Sequence, residues 1–250
     1  MLFNKALLGT VVTCALSLVN GLAVPAEVQP RDDTIEARSF ANGLFLRIMP
    51  LGASITHGVG SSTGNGYRAY LRDRIEANGN AVQYVGSHPN GNMRNPENEG
   101  WPGFIVDEVK RKAEETVWQM KPNLVLINAG TNDCTRNIDI PNVGVRVARL
   151  MDAVWAGSPR ATIVMSTLLR NGGAPGNVAA YNEQIRGLVW DWQNQGRRVV
   201  LADMQGPGSP GLDLIPDGTH PNDQGFQLMS NIWFDAIADA SRRGYLRPVE

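Results

Sequence analysis

The run Leu124-Val125-Leu126-Ile127-Asn128-Ala129 constrains the fold more than any other stretch of this chain. It is almost continuously apolar, with no alternation that would leave one face for water. A strand of that kind must be covered on both sides, as in a parallel sheet between helix layers. Leu44 to Leu51, Ala81 to Val85, Ala161 to Leu168 and Val199 to Ala202 also read as strands. Helical periodicity falls between them, over Tyr67 to Asn78, Phe104 to Lys121, Val143 to Trp155, Val178 to Gln195 and Asp223 to Arg242. The alternation predicts an α/β fold, a three-layer α/β/α sandwich around a central parallel sheet of about five strands. Open sheets of this kind place their sites at the carboxyl ends of the strands.

Three short segments supply chemistry, two of them directly after apolar runs. Gly52-Ala53-Ser54-Ile55-Thr56 presents a serine, and Gly130-Thr131-Asn132-Asp133 a side-chain amide. Near the C-terminus, Asp217-Gly218-Thr219-His220 puts a carboxylate three residues before a histidine. Such a carboxylate can accept a hydrogen bond from the imidazole, which fixes the tautomer and leaves the other nitrogen free as a base. Each segment alone has a plainer reading. Ser54 is a turn residue, Asn132 a helix cap, and Asp217 to His220 a turn or N-cap. Together, serine, amide and Asp-x-x-His are the parts of an acyl-transfer site.

These three blocks resemble the SGNH (GDSL-like) hydrolases. Arg47 to Thr56, Tyr84-Val85-Gly86-Ser87 and Glu99-Gly100-Trp101-Pro102-Gly103 look like the branch that includes the family 3 acetylxylan esterases. The likeness covers about residues 44 to 243. It implies the flavodoxin-like SGNH hydrolase fold, with Ser54 as nucleophile, His220 as base and Asp217 as the acid that orients it. It implies an oxyanion hole of the Ser54 and Gly103 backbone N–H groups and the Asn132 side chain. Gly86 competes with Gly103 for that role. The family's Asp before the serine is Ala53 here, and the His that the xylan-esterase branch often has before Glu-Gly-Trp is Asn98. No metal or other cofactor is needed for this chemistry. The other histidines, His57 and His88, show no ligand spacing; His57 reads as a turn residue near Ser54. Trp101 either stacks on a sugar ring or covers the core.

Composition narrows the partners. The formal net charge of the 250 residues is −1, so there is no basic footprint for nucleic acid. Lys5, the apolar run Ala6 to Val19 and the small residues of Gly21-Leu22-Ala23 read as a signal peptide over 1–23. A polar spacer or propeptide follows over 24–40, then one domain over 41–250. Of the two cysteines, Cys14 would leave with the signal peptide. Cys134 would then stand alone, a small residue packed beside the site.

The expectation is a secreted monomer, free of the membrane in its mature form. It would be a serine esterase removing O-acetyl groups from plant cell-wall polysaccharide, acetylxylan first, or acting on a small ester. A GDSL-type lipase or esterase acting on lipid is the alternative within the fold. A weakly active carbohydrate-binding relative, suggested by Ala53, is the alternative outside enzymology. The Gly- and Asn-rich segments Gly58 to Gly66 and Asn90 to Gly100 read as rim loops.

Overall fold

The computed structural model describes residues 40–250. The signal peptide and all of the spacer except Phe40 lie outside the described residues. Strand β1 (Leu46–Gly52) is central, with β5 (Leu124–Asn128), β6 (Thr162–Ser166) and β7 (Val199–Ala202) following in parallel on one side. On its other side β1 pairs with two strands in succession. The short β2 (Val82–Tyr84) runs beside Leu46 to Ile48, and β4 (Glu97–Gly100) beside Leu51 and Gly52. A two-residue strand β3 (His88–Pro89) closes an antiparallel hairpin onto β4.

Pro50 shows how this split edge works. Ile48 accepts from Val85 N–H on the β2 side, and Gly52 accepts from Trp101 N–H beyond β4. Residues two apart in a strand point their backbone groups the same way, so Pro50 faces that same edge. It falls in the gap between the β2 and β4 pairings, where its missing N–H costs no ladder bond.

The apolar run of β5 divides between two cores. Val125 and Ile127 pack under α3 (Val106–Met120), α5 (Val143–Gly157) and α6 (Pro175–Asn194). Leu124 and Leu126 pack under α2 (Tyr67–Ala77) and α7 (Asp223–Arg242). Helix α7 buries Phe226, Met229, Trp233, Ala236, Ile237 and Ala240, a three-to-four-residue repeat facing the sheet. Asn222 caps it by accepting the Gly225 N–H at 2.9 Å.

The expected three layers and parallel core are present, with the β3–β4 hairpin added at one edge. Two elements that periodicity cannot announce sit at strand ends: α1 (Ser54–His57) and α4 (Thr131–Thr135). Helix α3 begins at Val106 rather than Phe104, and α6 begins at Pro175 rather than Val178. Proline suits that first helical position, where its missing N–H would have no intrahelical partner anyway.

Candidate active site

Ser54 opens α1 two residues past the end of β1, and Asn132 lies in α4 four residues past the end of β5. Both therefore sit at the carboxyl edge of neighbouring strands. The loop between β7 and α7 brings His220 to the same edge from 166 residues away in sequence. His220 Nε2 lies 2.9 Å from Ser54 Oγ. His220 Nδ1 lies 2.6 Å from Asp217 Oδ2. An ionised carboxylate only accepts, so Nδ1 carries the proton and Nε2 is left to accept from the serine hydroxyl.

Asp217 builds its own loop. Its Oδ1 accepts the backbone N–H groups of Thr219 (2.9 Å) and His220 (2.7 Å), folding the chain back so that the ring meets Oδ2. Partial burial opposes the charge on Asp217. It is outweighed by the His220 backbone N–H, the His220 ring and the Thr219 N–H, which hold the carboxyl down at about 2.

The two sides of the candidate oxyanion hole meet at Phe104, whose carbonyl accepts from Asn132 Nδ2 at 2.8 Å. Gly103 immediately precedes it, with φ +85°, a conformation that favours glycine. Among the described residues the Gly103 N–H has no backbone acceptor. Ser54, as the first residue of its helix, has no intrahelical acceptor either. Gly86 has a different reason to be glycine. A Cβ there would come within 2.1 Å of the Asn98 backbone. The structure thus sets Gly103 beside Asn132 and packs Gly86 against β4.

Trp101 is committed to its neighbours. Its Nε1 donates to Glu99 Oε2 at 2.9 Å, Phe104 stacks at 5.6 Å, His88 meets it edge-on at 4.4 Å, and Lys112 Nζ lies 4.7 Å from its centroid. His57 ends α1 and lies 5.4 Å from the His88 ring, and burial first, then His88 and Arg68, lower its pKa. Asn98 braces the hairpin, accepting the Gly100 N–H at 2.9 Å and donating to the His88 and Pro96 carbonyls. Cys134 is buried; burial first, then Asp133, push its thiol up to about 12, which leaves no thiolate at neutral pH. Among the described residues no three of His, Cys, Asp and Glu gather as a metal-holding group.

Sequence reasoning missed the residues that hold this site. Asn171 donates to Thr219 Oγ1 at 3.1 Å and accepts from Gly173 and Ala174 N–H, while Gly172 N–H bonds Gly218 O. On the other side, Ser62 bonds Asp223 through its backbone N–H and hydroxyl, tying loop 58–66 to the start of α7. Only the glycine and asparagine content of these loops signalled them.

Relatives share this arrangement of elements. The GDSL-like lipase/acylhydrolase family matches residues 51–228. A multidomain esterase from Ruminococcus flavefaciens is 26% identical over 81% of this chain, and the chain spans 29% of that protein's length. The family 3 carbohydrate esterase of Clostridium thermocellum superposes with a TM-score of 0.69 at 24% identity, covering 80% of this chain and 98% of its own. A family 3 carbohydrate esterase of Talaromyces cellulolyticus does so with a TM-score of 0.68 at 23% identity, covering 80% and 99%. At those identities the structural likeness is one of fold. The family match spans more than half of the sequence, and the chain belongs to the GDSL-like lipase/acylhydrolase family.

Proposed function

We propose that this protein is a secreted serine esterase that removes O-acetyl groups from plant cell-wall polysaccharide, with acetylxylan as its principal substrate. The observation that carries the reading is the hydrogen-bonded chain Ser54–His220–Asp217, set at the strand ends that also bear Asn132 and Gly103. The family supports acyl hydrolysis, and the family 3 carbohydrate esterases among the fold relatives support a sugar ester.

In this reading His220 takes the Ser54 proton as Oγ attacks the acetyl carbonyl. Asp217 holds the imidazole in place and stabilises the imidazolium that forms. The Ser54 and Gly103 N–H groups and the Asn132 amide stabilise the oxyanion. His220 then gives the proton to the departing sugar oxygen. Water, deprotonated by His220, attacks the acetyl-serine, and His220 returns the proton to Ser54 Oγ as the acyl–oxygen bond breaks and acetate leaves.

The test is acetate release from acetylated xylan, beside a short-chain aryl acetate and a long-chain aryl ester. Release from xylan with little long-chain turnover supports the proposal. Long-chain preference moves the enzyme to lipid esters. Equal turnover by Ser54→Ala and wild type removes the nucleophile assignment. Secretion is tested on the secreting cell's medium, where the protein's N-terminus should map to cleavage after Ala23.

A further inference from the structure

Asp133 follows Asn132 directly, yet the chemistry above leaves it without a task. Its side chain is fully buried, and the cation that faces it is mostly so: Arg146 of α5 lies with Nη2 2.5 Å from Asp133 Oδ1. The other carboxylate oxygen, Oδ2, accepts the Val106 N–H at 3.0 Å. Val106 is the first residue of α3, and its N–H is one of the donors that a helix cannot satisfy internally. Three residues earlier in the same segment stands Gly103. One carboxylate therefore grips the segment that presents the Gly103 N–H, while its own backbone carries the Asn132 amide.

Arg146 is itself fixed at three points. Besides Asp133, its Nε bonds Asp107 Oδ2 at 2.9 Å, and its Nη1 bonds Ile138 O at 3.1 Å. Ile138 N–H returns to Asp133 O at 2.8 Å. The guanidinium thus joins the start of α3, the end of the α4 segment and α5. A buried charge pair of this kind is costly to assemble and adds little net stability over an apolar pair. Its use lies in geometry, since oxyanion donors act through preorganisation and lose effect when displaced by about an ångström.

Resting on the proposed esterase reading, we propose that the Asp133–Arg146 pair is the positioning element for the oxyanion hole. It sets the distance between the Gly103 N–H and the Asn132 amide and touches neither substrate nor nucleophile. Losing the pair leaves Ser54, His220 and Asp217 in place and loosens only the two donors.

The experiment is steady-state kinetics on a short-chain aryl acetate with Asp133→Asn, Arg146→Lys and Arg146→Ala, each checked for folding by thermal melting. Deleting one oxyanion donor costs about 10²–10³ in kcat, and misplacing two falls near the lower end. The expected result is a kcat loss of about 10²-fold with KM within about threefold. In the background of Asn132→Ala, Asp133→Asn should cost less than in wild type, because one of the two donors it places is gone. A cavity of about 490 Å³ opens onto Arg146, so added millimolar guanidinium should restore part of the kcat of Arg146→Ala. Should Asp133→Asn fail to fold, Arg146→Lys is read in the same way. Folded variants with wild-type kcat, or with equal losses in both backgrounds, overturn the proposal. Wild type inert toward the aryl acetate would instead sink the esterase reading itself, so the two failures are distinguishable.

Discussion

Gly60 lies against His220. Its φ is +95°, and a Cβ built on it would stand 3.0 Å from His220 Cβ and 2.5 Å from Pro221 O. The loop over 58–66 thus forms the back wall of the histidine. Gly60→Ala meets both costs at once, an unfavourable backbone conformation and a clash with the segment that carries His220, the base in the proposed reading. Displacing a base by about an ångström costs on the order of 10²-fold. The expected outcome is a kcat loss of about tenfold or more on a short aryl acetate. An unchanged kcat in a folded Gly60→Ala protein would show that the loop yields and His220 does not move.

Asn171 holds the opposite wall. Its amide bonds Thr219, the residue before His220, and its carbonyl oxygen organises Gly173 and Ala174. Asn171→Ala leaves buried groups without partners, at a cost of about 1–3 kcal/mol. Calorimetry should show a lowered Tm, and kcat should fall severalfold as the Asp217 to His220 loop loosens. Asn171→Asp keeps the acceptor and loses the donor, so its Tm should fall less than that of Asn171→Ala.

Asp217 gives a prediction with a sign. Its carboxyl is held at about 2, below the ordinary range of about 3.9. A lowered folded-state pKa means that its contribution is present above the ordinary value and is lost as pH falls through about 2. Above about pH 4 Asp217 is therefore ionised throughout, and any acid limb of kcat/KM there belongs to another group. Carbon NMR of the labelled carboxyl should show no titration between pH 4 and pH 8. Asp217→Asn removes the acceptor that sets the His220 tautomer, and a kcat loss of about 10²–10⁴ is expected.

How far the sequence disclosed this architecture follows from what each residue type signals. Leu124 to Ile127 announced a doubly covered strand because both faces carry apolar side chains, and the structure divides them between two cores. Asp223 to Arg242 matched to the residue, since the Asn222 cap and a full apolar stripe mark it. Strand β4 was invisible. Its sequence, Glu97-Asn98-Glu99-Gly100, contains no apolar side chain, yet Asn98, Glu99 and Gly100 are buried and pair with their neighbours. Helices α1 and α4, of four and five residues, are too short for a periodic pattern. The motif blocks pointed to Ser54, Asn132, Asp217 and His220, and the structure brings Ser54, His220 and Asp217 into one hydrogen-bonded chain. The groups that hold them, Gly60, Asn171 and Asp133, act through contacts between distant segments, which no local pattern encodes.

Trp101 offers a test between two roles. A sugar platform needs a free ring face and affects only glycan binding. This ring instead bonds Glu99, stacks on Phe104 and lies under Lys112. It also stands two residues before Gly103, in the segment that presents the N–H donor. Trp101→Ala should remove one of the two partners of the fully buried Glu99 carboxylate, leaving it only the Ser87 N–H. The expected result is a lower Tm and a kcat loss that is similar for aryl acetate and for acetylated xylan. A platform role predicts the reverse: normal turnover of the aryl ester, and a raised KM for xylan alone. Measuring both substrates on the same variant decides between a ring that positions Gly103 and a ring that receives the glycan.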